Sequence, residues 1–304
     1  MKKILLAHFC LFLVFLSPVQ ALQVYTLKEG SDLVGEIKTY ILKEEDTLLD
    51  VARAFDLGYN QIVAANPDID PWIPPPGKKI IIPSAYVLPN VPRVGIIINL
   101  AEMRLYYFRQ KNGAHLVYTS PVGVGKEGYL TELGIYTIVN KAKNPTWFVP
   151  ASIRAVEPDL PERVPPGPDN PLGDYIMHLS RGSYAIHGTN KPWGVGRRVS
   201  HGCIRLYPED IEKLFPLVNL GTPVNIIYQP IKVGRKGYDI YVQVFRDFEK
   251  KISDPFFYTL GLLARYGLSG EIDFFLLRRA LKEKTGVPVL ISRPRNPELT
   301  ENDR

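Results

Sequence analysis

The hydrophobic rhythm of this chain changes twice, and each change marks a different kind of structure. From residue 93 to 228 the apolar positions come in short β-branched and aromatic runs. Residues 95–99 and 103–108 are two such runs joined by a short polar turn, the pattern of a hairpin. Residues 116–121, 134–140 and 175–187 continue the pattern, and 223–228 closes it. Between them, residues 157–173 carry many prolines, which predicts a long irregular loop of the kind that forms lids or walls.

Before residue 84 the period is different. Thr39-Tyr-Ile-Leu42 reads as a strand, and Asp46-Thr47 offers a cap ahead of Leu48, Leu49, Val51, Ala52 and Phe55 at helical spacing. Gly58 is expected to end that helix. A second short helix is predicted over 59–65, with Ile62 and Val63 on its apolar side and Asn66-Pro67 as its stop. Lys79-Ile-Ile-Ile-Pro83 returns as a strand, giving a β-α-α-β unit over 38–83. Pro89 and Pro92 suggest a linker at 84–92. After Tyr228 the chain is less regular. There Ser269 is the expected cap of a helix through Lys284, with Phe274, Leu277 and Leu281 on one face and Gly286 as the stop. Phe256, Phe257 and Leu260 are expected to be buried in the same region.

At the N-terminus, Lys2 and Lys3 precede the apolar run 4–16, and Val19-Gln20-Ala21 follows as a small-x-small site. This predicts a secretory leader, residues 1–21, cut after Ala21. The run is shorter than the ~20 residues that span a bilayer, so no transmembrane span is expected in the mature protein. Phe9, just before Cys10, is too large for a lipoprotein processing site. Cleavage removes one of the 2 cysteines and leaves Cys203 alone in an exported protein, where an unpaired thiol is a liability unless buried or used. The whole chain carries 37 Lys and Arg against 31 Asp and Glu, a formal charge of +6, and loss of Lys2 and Lys3 leaves it mildly basic. No basic block points to nucleic acid.

Cys203 stands among the residues that carry chemistry. Ala185-Ile-His-Gly-Thr189 and Ser200-His-Gly-Cys-Ile-Arg-Leu206 place His187, Gly188, Ser200, His201, Gly202 and Arg205 with it. A thiol beside an imidazole suits nucleophilic acyl transfer, because the thiolate attacks and a base must make it. His201 lies two residues from Cys203 and His187 ends a predicted strand, so spacing alone leaves either as the base. A zinc site from Cys203, His201, His187 and His178 lacks the paired ligand spacing of metal sites, and no metal or other cofactor is expected.

A first His, a spacer, then Ser-x-Gly-Cys-x-Arg is the defining pattern of the L,D-transpeptidases, and His187, Ser200, Gly202, Cys203 and Arg205 match it. Asn99-Leu-Ala-Glu-Met-Arg-Leu105, Pro121-Val-Gly-Val-Gly125, Asn144-Pro-Thr-Trp147 and Asn170-Pro-Leu-Gly173 agree with the same family. Glu132 departs from it, standing where the family usually has proline. The 38–83 unit, through Asp46-Thr47-Leu48, Asn66-Pro67 and Ile82-Pro83, resembles the LysM module that binds peptidoglycan glycan. The resemblance implies a mainly β catalytic domain at 93–228, a YkuD-type β-sandwich with short helices. A LysM module precedes it, and a partly helical C-terminal extension, 229–304, follows it.

It further implies a periplasmic transferase of cell-wall biogenesis and cell shape. Cys203 would form a thioester with a peptidoglycan tetrapeptide stem and expel the terminal D-amino acid. His187, the characteristic histidine, is the implied base. Gly202 with Cys203 would supply backbone donors for the oxyanion, and Arg205 would steady the thiolate or a stem carboxylate. Ser200, His201 and Gly188 would shape the pocket. Arg197, Arg198, Lys191 and Trp193, in the spacer, are candidate stem contacts. The expected partners are peptidoglycan stem peptides and glycan strands. The domain order also resembles that of enzymes that tether a Braun-type lipoprotein, which makes that lipoprotein a candidate partner. The acceptor is then its lysine amine, a diaminopimelate amine in a cross-link, or water in an L,D-carboxypeptidase or amidase. A non-catalytic wall-binding protein is the remaining alternative. A LysM module that only tethers predicts that deleting 22–85 leaves small-substrate turnover unchanged.

Overall fold

A computed structural model describes residues 21–268, 270 and 272–293, apart from the side chain of Ser152. The leader reading and Cys10 lie outside the described residues, except for Ala21, and so does the expected cap Ser269. The central sheet has nine strands. Their order is Gln23–Thr26, Ala114–Pro121, Arg104–Lys111, Gly95–Asn99, Pro223–Ile227, Gly134–Lys143, Tyr175–Leu179, Ala185–His187 and Ile204–Arg205. Most neighbours are antiparallel. The exceptions are Gly95–Asn99 beside Pro223–Ile227, and Ala185–His187 beside Ile204–Arg205.

Hydrophobic alternation explains why the middle of this sheet reads as continuous apolar runs. Ile96, Ile98, Leu105 and Tyr107 face the main core, with Met177, Ile186, Ile204 and Leu206. Ile97, Tyr106 and Phe108, on the opposite face, pack with Val34, Tyr86 and Leu88. A strand buried on both faces cannot show polar-apolar alternation. This second layer corrects the reading of 84–92 as a linker. Ala85–Val87 is a buried strand paired with Leu33–Gly35, and Leu88 is buried after it.

The small unit has the expected order. Strand Lys38–Ile41 pairs with Lys79–Ile82, and helices Leu48–Ala54 and Tyr59–Ala65 lie between them. Thr47 caps the first helix by accepting the Asp50 N–H at 3.2 Å. That helix stops at Ala54, and Gly58 instead opens the second one, its N–H donated to Gln61 Oε1. Asn66 does more than stop the chain: its side chain bonds the Ile62 carbonyl and both backbone groups of Ile81, so the second helix is tied to the returning strand.

The small unit is docked onto the large one. Gly58 and Gly196 approach so closely that a Cβ on Gly196, at φ +76, would lie 2.3 Å from the Gly58 Cα. Asn60 N donates to the Gly196 carbonyl at 3.2 Å, and Tyr207 OH to the Leu57 carbonyl at 3.1 Å. Arg53 grips Glu209 through two bonds of 2.7 and 2.9 Å. Arg104, fully buried, donates to the Asp56 carbonyl at 2.7 Å and to Gln61 Oε1 at 3.0 Å, with its guanidinium over Tyr86.

The C-terminal extension has its own core, which includes Val233, Val242, Leu263 and Leu277. Strands Ile231–Lys236, Asp239–Val244 and Val289–Leu290 form a sheet beside helices Pro255–Arg265 and Phe274–Glu283. The second helix is capped by Asp273, which accepts from Phe275 and Leu276 N–H. It therefore begins later than the pattern around Ser269 predicts. Leu277 and Leu281 are buried as expected, whereas Phe274 and Phe257 are exposed. Phe256 and Leu260 pack on the core. Lys232 anchors the extension to the sheet: its Nζ lies 2.6 Å from Glu102 Oε2, to which Tyr106 OH also donates at 2.9 Å.

Candidate active site

Strand Ala185–His187 sets Ile186 opposite Ile204 and His187 opposite Arg205. Ile186 and Ile204 both belong to the core, so strand alternation sends His187, Arg205 and the preceding Cys203 to the other face. One sheet edge thereby gathers three residues that the chain separates into two motifs.

Ser200 builds the turn that presents Cys203. Its Oγ donates to the Cys203 carbonyl at 2.6 Å and accepts the Gly202 N–H at 3.1 Å. Thr131 Oγ1 holds the same turn from outside, donating to the Gly202 carbonyl at 2.8 Å and accepting the Gly125 N–H at 3.1 Å. Gly202 has φ +105, and a Cβ there would come within 2.8 Å of the Tyr184 ring, so both strain and space require glycine. The expectation that the Gly202 N–H faces an oxyanion is corrected: in this conformation Ser200 has already taken it.

The His187 Nδ1 lies 2.7 Å from the Gly188 carbonyl oxygen. A carbonyl accepts only, so Nδ1 carries the proton and Nε2 is the basic nitrogen. Burial, helped by the nearby Arg205 charge, pushes the His187 pKa down to about 4. The imidazole is thus neutral at neutral pH. Gly188 leaves no room for a side chain, since a Cβ would sit 3.2 Å from Ile211 Cγ2 and 3.3 Å from the Leu172 carbonyl. That carbonyl belongs to the proline-rich loop, which is pinned by Asn170: its Nδ2 donates to Pro145 O at 2.8 Å, and its Oδ1 accepts Leu172 N at 2.9 Å. The loop is a wall behind the histidine.

Cys203 is half-buried, with Sγ 3.6 Å from the Ser183 carbonyl. Burial raises its thiol pKa, while the Ala185 N–H and the Arg205 charge oppose that rise. The resting pair is therefore a neutral thiol and a neutral imidazole. Burial lowers the Arg205 pKa and the nearby Cys203 offsets it. No carboxylate pairs with Arg205 among the described residues, and its buried Nε has no hydrogen-bond partner there.

The other expected contacts divide. His201 stacks edge-on against Tyr129 at 4.6 Å, and burial together with Lys126 and Arg205 lowers its pKa. Arg197 does not face the site. It lies over Tyr59 at 3.7 Å, and Trp72 lies beyond, so the spacer between the two motif halves is bolted to the small unit. Arg198 lies 5.9 Å from the Phe248 ring. Lys191 and Trp193 stay exposed. Glu132 accepts Tyr136 OH through its carbonyl at 3.0 Å, and its carboxylate approaches Tyr184, the ring that covers Gly202. Thr131, Tyr184 and Tyr129 complete the site without any motif to announce them, because each acts through a contact distant in sequence. Among the described residues no three His, Cys, Asp or Glu are grouped to hold a metal ion, and no helix is long and apolar enough to cross a membrane.

Comparison with known proteins identifies the family. The family model described as the L,D-transpeptidase catalytic domain, YkuD, matches residues 93–226, and the LysM domain model matches 40–83. Probable L,D-transpeptidase YcfS of Escherichia coli is 37% identical over 278 residues, covering 87% of this chain and 86% of that one. Probable L,D-transpeptidase YbiS of the same species is 37% identical over 279 residues, covering 87% and 90%. Probable L,D-transpeptidase ErfK/SrfK of Salmonella typhimurium is 36% identical over 281 residues, covering 87% and 89%. Among solved structures, the catalytic domain of an Enterococcus faecium L,D-transpeptidase is 23% identical and covers 46% of this chain and 100% of its own, with a TM-score of 0.34.

Proposed function

The chain belongs to the L,D-transpeptidases, and from that premise we propose that it works in the periplasm on peptidoglycan tetrapeptide stems, with Cys203 as nucleophile and His187 as base. Nε2 of His187 takes the Sγ proton as sulfur bonds to the stem carbonyl carbon. The oxyanion that forms is met by the Cys203 N–H, since Ser200 holds that of Gly202. Collapse breaks the C–N bond, and the departing D-amino acid takes the proton from His187. An acceptor amine then attacks the thioester, gives its proton to His187 and releases the thiol.

Arg205 is the observation that carries the reading. A half-buried guanidinium whose Nε is buried without a partner, and which has no carboxylate among the described residues, favours an anion, and its charge is felt by both Cys203 and His187. It supports the thiolate as that anion forms, or receives a stem carboxylate.

The acceptor we favour is an amine, with the lysine of a Braun-type lipoprotein ahead of diaminopimelate. The support is the order of LysM module, catalytic domain and C-terminal extension, which resembles that of enzymes that tether such a lipoprotein. Mature protein incubated with tetrapeptide stems and a lysine-ended peptide should yield a joined product by mass. Trimmed tripeptide alone would make water the acceptor and the enzyme an L,D-carboxypeptidase.

A further inference from the structure

Where the small unit meets the catalytic domain, two acids share one buried place. Asp56 follows helix Leu48–Ala54, and Asp210 lies in helix Pro208–Leu214, immediately after the Cys203 motif; both are almost wholly buried. Ser120 Oγ donates to Asp210 Oδ2 at 2.7 Å. Leu22 N lies 2.8 Å from Asp210 Oδ1, and Gln23 N lies 3.1 Å from Asp56 Oδ2. Asp56 Oδ1 has no donor among the described residues, and the two carboxyls lie close enough to share a proton, which Asp56 holds and donates to Asp210 while no cation is present.

The charges around this pair do not balance. Arg53 is matched by Glu209, and Arg104 supplies one positive charge against two carboxyls. Tyr25 and Tyr207 nearby are neutral, and Lys213 is exposed and reaches the Ala21 carbonyl instead. Burial raises both acids, Asp210 to about 6, so the pair holds a proton unless a further cation reaches the unpartnered Asp56 Oδ1. The N–H that touches Asp210 belongs to the residue just after Val19-Gln20-Ala21, the small-x-small site.

We propose that the Asp56–Asp210 pair is a binding site for a primary ammonium, the chain's own α-ammonium at Leu22, made when the leader is cut. A leader peptidase would hydrolyse the 21–22 bond with one water, leaving a carboxylate on Ala21 and an amine on Leu22 that takes up a proton. A single amide N–H becomes three donors and a full positive charge, enough to reach Asp56 Oδ1 as well. Both acids can then ionise, and the new terminus clamps the small unit to the helix that follows the catalytic motif. Removal of the leader is in this way coupled to assembly of the site.

The test uses the exported protein and two chains freed from a removable fusion, one beginning at Leu22 and one retaining Ala21. Intact mass should show the exported chain beginning at Leu22. Acetylation at neutral pH, read by peptide mass spectrometry, should modify that α-amine at least about tenfold more slowly in the folded protein than in urea, since each unit of raised pKa costs a factor of ten in free amine. The chain retaining Ala21 should be acetylated at the urea rate and melt at a lower temperature. Asp210→Asn should expose the Leu22 amine, and if that variant does not fold the Ala21 extension decides alone. A mature start elsewhere, or a Leu22 amine as reactive folded as unfolded, overturns the proposal.

Discussion

His187 holds its Nδ1 against the Gly188 carbonyl at 2.7 Å, and that contact makes Nδ1 the donor and leaves Nε2 the basic nitrogen. A neutral imidazole with Nε2 as its basic nitrogen can take a thiol proton over a wide pH range, because burial keeps its own pKa near 4.

The acid limb of acylation should therefore fall near pH 4 rather than between 6 and 7, the range of an unperturbed histidine. A pH–rate profile of thioester formation with a β-lactam of the carbapenem class reads this directly. The same shift bears on stability with a definite sign. An unfolded His187 binds a proton below about 6.5, whereas the folded one resists until about 4, so falling pH erodes stability across that window. His187→Gln should flatten this part of the stability–pH curve, a difference of up to about 3 kcal/mol.

Arg205 is expected to hold down the Cys203 thiol pKa from the charged side. Arg205→Gln should shift the pH dependence of iodoacetamide alkylation to higher pH, since burial then acts with less opposition. An unchanged alkylation profile would assign Arg205 to substrate alone.

The small unit is expected to matter for soluble substrates as well as for the polymer. Gly196→Ala places a Cβ 2.3 Å from the Gly58 Cα and strains a backbone at φ +76. It should part the two units and loosen the spacer that Arg197 ties to Tyr59. Turnover of small muropeptides should fall about tenfold or more, as small misplacements of reacting groups do. Undiminished turnover in a folded variant would restore the picture of a module that only tethers.

Lys232→Met should destabilise the protein by about 3–5 kcal/mol, because it leaves the Glu102 carboxylate buried without its cation. Adding Glu102→Gln should recover part of the loss in thermal melts.

What the sequence made legible follows from the range of each interaction. The β-α-α-β order and the Gly95–Asn99 hairpin strand are set by local period, so pattern finds them. Cys203 and His187 stood out because thiol, imidazole and glycine are rare in such company. The docking of the two units was not legible, since Gly58 with Gly196 and Arg104 with Asp56 are contacts between distant residues. Tyr86 and Leu88 looked like linker because Pro89 and Pro92 dominate the local pattern, while their burial comes from the far side of the sheet. The Gly202 N–H was misassigned for a similar reason: Ser200 sits only two residues away, but its rotamer is not written in the spacing.

The central claim is acyl transfer by Cys203 with His187 as base, and intact-mass detection of the carbapenem adduct tests it most directly. The unmodified protein and His201→Ser should both gain the mass of one ligand. Cys203→Ala should gain none, and His187→Ala should acylate ~10²–10⁴-fold more slowly, the usual contribution of a positioned base. Circular dichroism on each variant establishes that it is folded. An adduct that persists in Cys203→Ala, or one that forms in His187→Ala but not in His201→Ser, would contradict the account.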